Sequence, residues 1–109
     1  MTTITVFDDA DGRHTGFELS GHAFFADPGH DIVCAAISIL AINTVNAIEE
    51  FVLNEWQYDE IADSEKGLIR FMIKEPDLDT QLLIDTMLLG LSEIEKQHPE
   101  NIRLIAREV

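Results

Sequence analysis

The chain has 109 residues, of which 46% are hydrophobic, and it carries 7 Lys and Arg against 21 Asp and Glu, a formal net charge of -14. The length predicts a single domain, 1–109, and the charge disfavours direct binding to nucleic acid or anionic lipid and favours basic partners. One cysteine permits no intramolecular disulfide, and Met1 is followed by TTITVF rather than by basic residues and a long apolar run, so we expect a cytoplasmic protein.

Two alternating stretches open the chain. Thr3 to Phe7 and His14 to Ser20 alternate apolar and polar residues, and the segment between them is rich in Asp and Gly. This pattern is typical of a β-hairpin, whose second strand would end at Gly21.

A long helix is the next predicted element. Residues from Ile32 to about Leu53 are so densely apolar that the helix must be buried on most sides, and Asp31 is positioned to cap it. The apolar run is interrupted at Ser38 and then meets Asn43, short of the roughly 20 residues that a bilayer requires, so we predict no membrane span.

The second half of the chain repeats this order. Another hairpin is predicted from two β-rich stretches, Glu55 to Ala62 and Leu68 to Lys74. A second helix follows, which Asp77 can cap and which runs to about Lys96. A last strand is predicted over Ile102 to Arg107. The inward stripe of the second helix is predicted to consist of Leu78, Leu82, Met87, Leu91 and Ile94. The order ββαββαβ indicates a two-layer α+β fold, an antiparallel sheet covered by two helices.

Cys34 falls in the first turn of the predicted central helix, where free backbone N–H groups and the helix dipole would favour a thiolate and could hold an oxyanion. The loop that follows Gly21 could return His22 to the sulfur, which would complete a Cys–His pair for acyl transfer. Asp31 could orient this histidine or simply cap the helix. The alternative is a buried, inert cysteine, because free cysteines commonly behave as small hydrophobes.

Two further hypotheses come from other classes of function. His22, Asp27, His30 and Cys34 could together bind zinc, although none of them shows the short paired spacing of strong zinc motifs. The acidic chain could instead be a non-catalytic module that binds a basic partner by charge.

A resemblance to a known family rests on two motifs, GHA at 21–23 and GxDIVCAAxS at 29–38. Together they resemble the signature of the bacterial ribosomal-processing cysteine proteases, the Prp family, and Asn46 fits a downstream asparagine. The resemblance implies a cytoplasmic endopeptidase that removes a short N-terminal extension from a large-subunit ribosomal protein and supports ribosome assembly. It implies Cys34 as nucleophile and His22 as base, a homodimer, and no cofactor.

Further residues near this pair are candidates for supporting roles, some from the motif match and some from their own chemistry. Asp31 and Ser38 match the motif, and Ser38 would lie one turn beyond Cys34 on the same helical face. Phe24 and Phe25 follow the GHA motif, and one of them is expected to line the peptide groove while the other packs on the core. Gly21 and Gly29 would be the hinges of a loop that closes over substrate.

Among the other histidines, His30 is a second candidate base, because it lies next to the motif's aspartate. We expect it to be a solvated loop residue instead, since His22 is the histidine inside the GHA motif. His14 and His98 are given no function.

Overall fold

The computed structural model describes residues 1–21, 28–63 and 67–109, and it describes residues 28–31 by their backbone alone. The elements in chain order are β1 (Thr2–Asp8), β2 (His14–Ser20), α1 (Pro28–Phe51), a 3₁₀ turn (Glu55–Gln57), β3 (Tyr58–Asp63), β4 (Leu68–Ile73), α2 (Leu78–Gln97) and β5 (Ile102–Glu108). The predicted α+β class and the order ββαββαβ are confirmed.

The five strands form one sheet in the order β3-β4-β2-β1-β5. Three pairings are antiparallel, as predicted, but β1 and β5 run parallel, so the sheet is mixed. The parallel pair arises because α2 carries the chain across the sheet from β4 to its far edge, as a parallel connection requires. Val6 therefore lies between Phe17 on β2 and Ala106 on β5.

The core lies between one face of the sheet and the two helices. Phe17 and Phe71 are fully buried there, with ring centroids 5.9 Å apart, and Tyr58 stacks on Phe71 at 4.9 Å. The helices contribute Val33, Ile37, Ala41, Val45 and Ile48 from α1 and Ile84, Met87 and Leu91 from α2. Burying one large apolar side chain stabilises the fold by about 1.5–3 kcal/mol, so this layer dominates the stability.

Helix α2 begins as predicted but turns a different face inward. Asp77 Oδ1 accepts a hydrogen bond from the Thr80 backbone N–H at 2.7 Å, which confirms Asp77 as the cap. Leu78 and Leu82 were predicted to face the core, which is wrong, because they are 87% and 65% exposed. Thr80 and Ile84 face inward instead, since they share the helical face of Met87 and Leu91.

Helix α1 is long and apolar enough to cross a membrane by length and composition alone, over Ile32–Phe51, and one third of that stretch is buried within the fold. Core helices of water-soluble domains share both properties, so the match is weak support for a membrane span.

His14 joins the start of β2 to β1 and to α2. Its Nδ1 lies 2.6 Å from Asp8 Oδ1 and its Nε2 lies 2.7 Å from Asp85 Oδ1. The Gln81 side chain accepts from the His14 backbone N–H and donates to its carbonyl oxygen at 2.7 Å. Burial acts to lower the pKa of His14, but the hydrogen bonds and charges of Asp8 and Asp85 outweigh it and raise the pKa.

This bridge predicts a pH dependence of stability. A raised folded-state pKa means that the imidazolium stabilises the fold fully below the unfolded value near 6.5, and that this stabilisation is lost as pH rises through the folded value. Urea unfolding at pH 6 and pH 8.5 should therefore show a smaller loss of stability in His14→Gln than in the unmodified chain. Equal losses in the two proteins would contradict the bridge.

Candidate active site

The candidate site lies at the end of the sheet where β2 finishes and α1 begins. Helix α1 starts at Pro28, and proline suits a first helical position because it has no N–H to leave unpaired. Asp31 is therefore the fourth helical residue and not the cap, so the predicted cap is wrong. Gly29 and His30, expected in the loop, lie in the first turn of the helix.

Cys34 is the seventh residue of α1, in its second turn, and not in the first turn as predicted. Only the first four N–H groups of a helix lack partners, so the Cys34 N–H lies within the helical ladder. The dipole also weakens beyond the first turn. The free N–H groups of the helix belong instead to the turn before Cys34, so the prediction that Cys34 lies among them is wrong.

The thiol lies at the edge between the buried and exposed faces of α1. Cys34 is half-buried, its neighbour Val33 is buried, and Ala35 and Ala36 on its other side are exposed. The exposed surface of α1 therefore begins next to Cys34. This position disfavours the alternative of an inert cysteine sealed in the core.

Gly21 fixes the direction in which the chain leaves β2. Its φ is 72°, and a Cβ there would lie 2.7 Å from the Met1 carbonyl oxygen, so only glycine fits without strain. His22 follows directly. The sequence pattern did not predict this constraint, because it depends on the approach of Gly21 to the Met1 backbone, twenty positions earlier in the chain.

The other predicted site residues divide between the described and undescribed parts of the chain. Ser38 is half-buried one helical turn beyond Cys34, and Asn46 is exposed further along α1. His22, Phe24, Phe25 and Asp27 lie outside the described residues, so the Cys–His pair and the aromatic peptide groove stay predictions. Among the side chains that the structure describes, no group of three His, Cys, Asp or Glu could hold a metal ion.

Two of the described histidines lie apart from Cys34. His14 borders a groove of about 520 Å³ between α2 and β5, at the opposite end of the sheet from Gly21. His98 caps the end of α2, where its backbone N–H donates to the Ile94 carbonyl oxygen at 2.8 Å.

Comparisons with known proteins match nearly the whole chain. The family model described as "Cysteine protease Prp" matches residues 1–103. The ribosomal processing cysteine protease Prp of Staphylococcus aureus (strain Mu50) is 36% identical over 107 residues, which cover 95% of this chain and 97% of the relative. That of Bacillus subtilis (strain 168) is 32% identical over 110 residues, with coverages of 95% and 96%.

Two solved structures are similar to this chain in fold and in sequence. The S. aureus protease Prp in complex with a substrate peptide has a TM-score of 0.88 and 32% identity, and the match covers 98% of this chain and 100% of that one. The S. aureus protease Prp in complex with a covalently linked product peptide has a TM-score of 0.85 and 33% identity, with the same coverages.

Proposed function

The chain belongs to the cysteine protease Prp family, whose members process ribosomal proteins, and on that premise we propose that it removes a short N-terminal extension from a large-subunit ribosomal protein in the cytoplasm. One observation carries the proposal: its structure is similar along its whole length to a protease solved with a substrate peptide. The cleavage would support ribosome assembly. The family model and the relatives are cysteine proteases, so the alternative of a non-catalytic acidic module is not favoured.

Cys34 and His22 carry the chemistry in this proposal. The Cys34 thiolate attacks the carbonyl carbon of the scissile bond, and the electron pair moves to the carbonyl oxygen. As the C–N bond breaks, the His22 imidazolium donates its proton to the leaving amine, and a thioester remains on Cys34. Water then attacks the thioester carbon while His22 accepts its proton; the C–S bond breaks, the Cys34 thiolate is regenerated, and the new carboxylic acid leaves and ionises in solvent.

The half-buried position of Cys34 supports this role, because a nucleophile must reach a bound peptide and yet be held by packed neighbours. Gly21 also supports it, since its positive φ and its close approach to the Met1 carbonyl oxygen fix the direction in which the chain leaves β2 before His22.

The remaining site residues are proposed in supporting roles. With the cap excluded, Asp31 orients His22, and Ser38 stabilises the active conformation of Cys34 from the next turn. Phe24 and Phe25 contact the peptide within the segment that begins at Gly21. Gly29 provides flexibility where that segment joins α1.

The protein is proposed to act as a homodimer. Three isoleucines of α1, Ile32, Ile39 and Ile42, are 73%, 65% and 43% exposed although the opposite face of the helix fills the core. Exposed apolar side chains on one element favour burial by a partner, and a second copy is the partner that the family resemblance implies.

Light scattering of the purified protein should give twice the monomer mass, and a monomeric mass at micromolar concentration would contradict the dimer.

The first test of the chemistry uses single variants and the extended ribosomal protein, with the product read by intact mass. Cys34→Ala should lower cleavage by at least about 1,000-fold, because no side chain is left to form the thioester. His22→Ala should lower kcat by about 100- to 10,000-fold and slow the alkylation of Cys34 by iodoacetamide at neutral pH.

His30→Ala is the matched control, since it removes a neighbouring histidine that the proposal does not use. It should keep nearly full activity, and circular dichroism should show all three variants folded. Cleavage by Cys34→Ala, or a loss in His30→Ala as large as that in His22→Ala, would overturn the assignment.

The second test concerns the net charge of -14. Ribosomal proteins are basic because they bind RNA, so long-range attraction should speed the encounter with this acidic enzyme. The Debye length falls from about 10 Å at 0.1 M salt to about 3 Å at 1 M. Raising salt should lower kcat/KM for the full-length substrate much more than for a short neutral peptide spanning the same bond. Equal salt sensitivity of the two substrates would show that the charge serves solubility alone.

A further inference from the structure

A strongly acidic surface lies at the far end of α1 from Cys34. It is formed by Glu49 and Glu50 on α1, Glu55 in the 3₁₀ turn and Glu60 on β3, and we call these residues the acidic face. Residues 31–65 contain eight Asp and Glu and no Lys, Arg or His, so no neighbour in sequence neutralises them.

Three members of the acidic face lie close enough to act on one another or on a shared neighbour. Glu49 raises the pKa of Glu60, and the pKa of Tyr58 is raised by burial and then by Glu49, with the charges of Glu55 and Glu60 acting in the same direction. Glu49 and Glu50 border one groove, of about 420 Å³, together with Phe51. The hydrogen bond to Glu49, followed by burial and by repulsion from its charge, raises the pKa of Glu60 to about 7. Among the ion pairs of the described residues, none involves Glu49 or Glu60, so the fold holds these two carboxyl groups close together.

Two large aromatic side chains lie within the same stretch of chain. Phe51, which borders the groove, is 80% exposed, and Trp56, adjacent to Glu55, is 71% exposed. Aromatic residues are the commonest anchors at protein interfaces. Carboxylates with exposed aromatic rings can bind lysine and arginine side chains through ion pairs and through cation–π contacts.

The charge decides which occupant this surface suits. A nucleic acid would be repelled, and a second copy docked through the same surface would bring four more carboxyl groups against these four. A protein surface rich in Lys and Arg has the complementary charge, and the proposed substrate is of that kind.

The surface is also well separated from the nucleophile. Glu50 lies sixteen positions after Cys34 on α1, which corresponds to about 20–25 Å along the helix. A peptide with four residues on each side of the scissile bond extends at most about 14 Å from that bond. Only a longer substrate could contact both places.

Resting on the proposed function, we propose that the acidic face, with Phe51 and Trp56, is a docking surface for the basic body of the ribosomal protein whose extension is bound at Cys34. Docking would hold the substrate while its flexible extension finds the catalytic residues. It therefore affects the binding of the whole protein and leaves the chemical step unchanged.

The test compares two double variants of equal net charge. Glu50→Gln with Glu55→Gln removes charge from the acidic face, and Glu93→Gln with Glu108→Gln removes the same charge from exposed sites elsewhere. Among these four carboxylates, the described ion pairs include only that of Glu93 with Lys96, a surface pair worth little. Any difference between the variants thus reports position and not total charge.

The acidic-face variant should lower kcat/KM on the full-length extended protein by about 5- to 10-fold and leave the short peptide within twofold. The control variant should leave the full-length value within twofold. Phe51→Ala should lower the full-length value without altering the peptide value, which separates the aromatic contribution from the charge.

Three results would overturn the docking surface: equal losses in the two double variants, equal losses on protein and peptide, or a change in oligomeric mass in the acidic-face variant. Failure of the proposed function is distinguishable, since the unmodified enzyme would then cleave neither substrate.

Discussion

The row of buried side chains that holds α1 against the sheet sets the orientation of every other residue on that helix. Val33, Ile37, Ala41, Val45 and Ile48 recur every three or four residues and leave no alternative rotation, because turning the helix would expose several of them at once. Cys34 follows the first of these residues and so falls at the border of the buried face. The same packing leaves Ile39 exposed.

Local pattern predicted much of the fold and less of the site. The two hairpins, both helices and the Asp77 cap are local features, and the sequence predicted them from periodicity, turn residues and capping residues. Leu78 and Leu82 show the limit, because their apolar character indicated burial while the true inward face was decided by docking on the sheet. The parallel pairing of β1 with β5 could not be predicted either, since strand order depends on contacts between distant segments. At the site, the motifs indicated Cys34 as the candidate nucleophile, which stays a prediction. The helix that carries it begins four residues earlier than predicted, which changes the backbone around it.

Helix α1 has two separate electrostatic environments along its length. Its first half carries the thiol between small and apolar neighbours, and its second half ends in Glu49 and Glu50. A single rigid helix therefore fixes the separation between a reactive group and a charged surface, with no hinge between them. Acidic residues at the C-terminal end of a helix oppose its dipole, which costs some stability, so their concentration there is not explained by the requirements of folding.

The parallel pairing of β1 with β5 has a consequence for biosynthesis. Thr2 pairs with Ile102, 100 positions later, so the outer edge of β1 stays unpaired until the last strand has left the ribosome. The other three pairings join strands that all lie within the first 73 residues. Because distant contacts carry a large loop-closure cost, folding during translation should stop at a partly covered sheet and finish after release. During that interval the nascent chain exposes an open edge next to Val6, where other extended chains could pair.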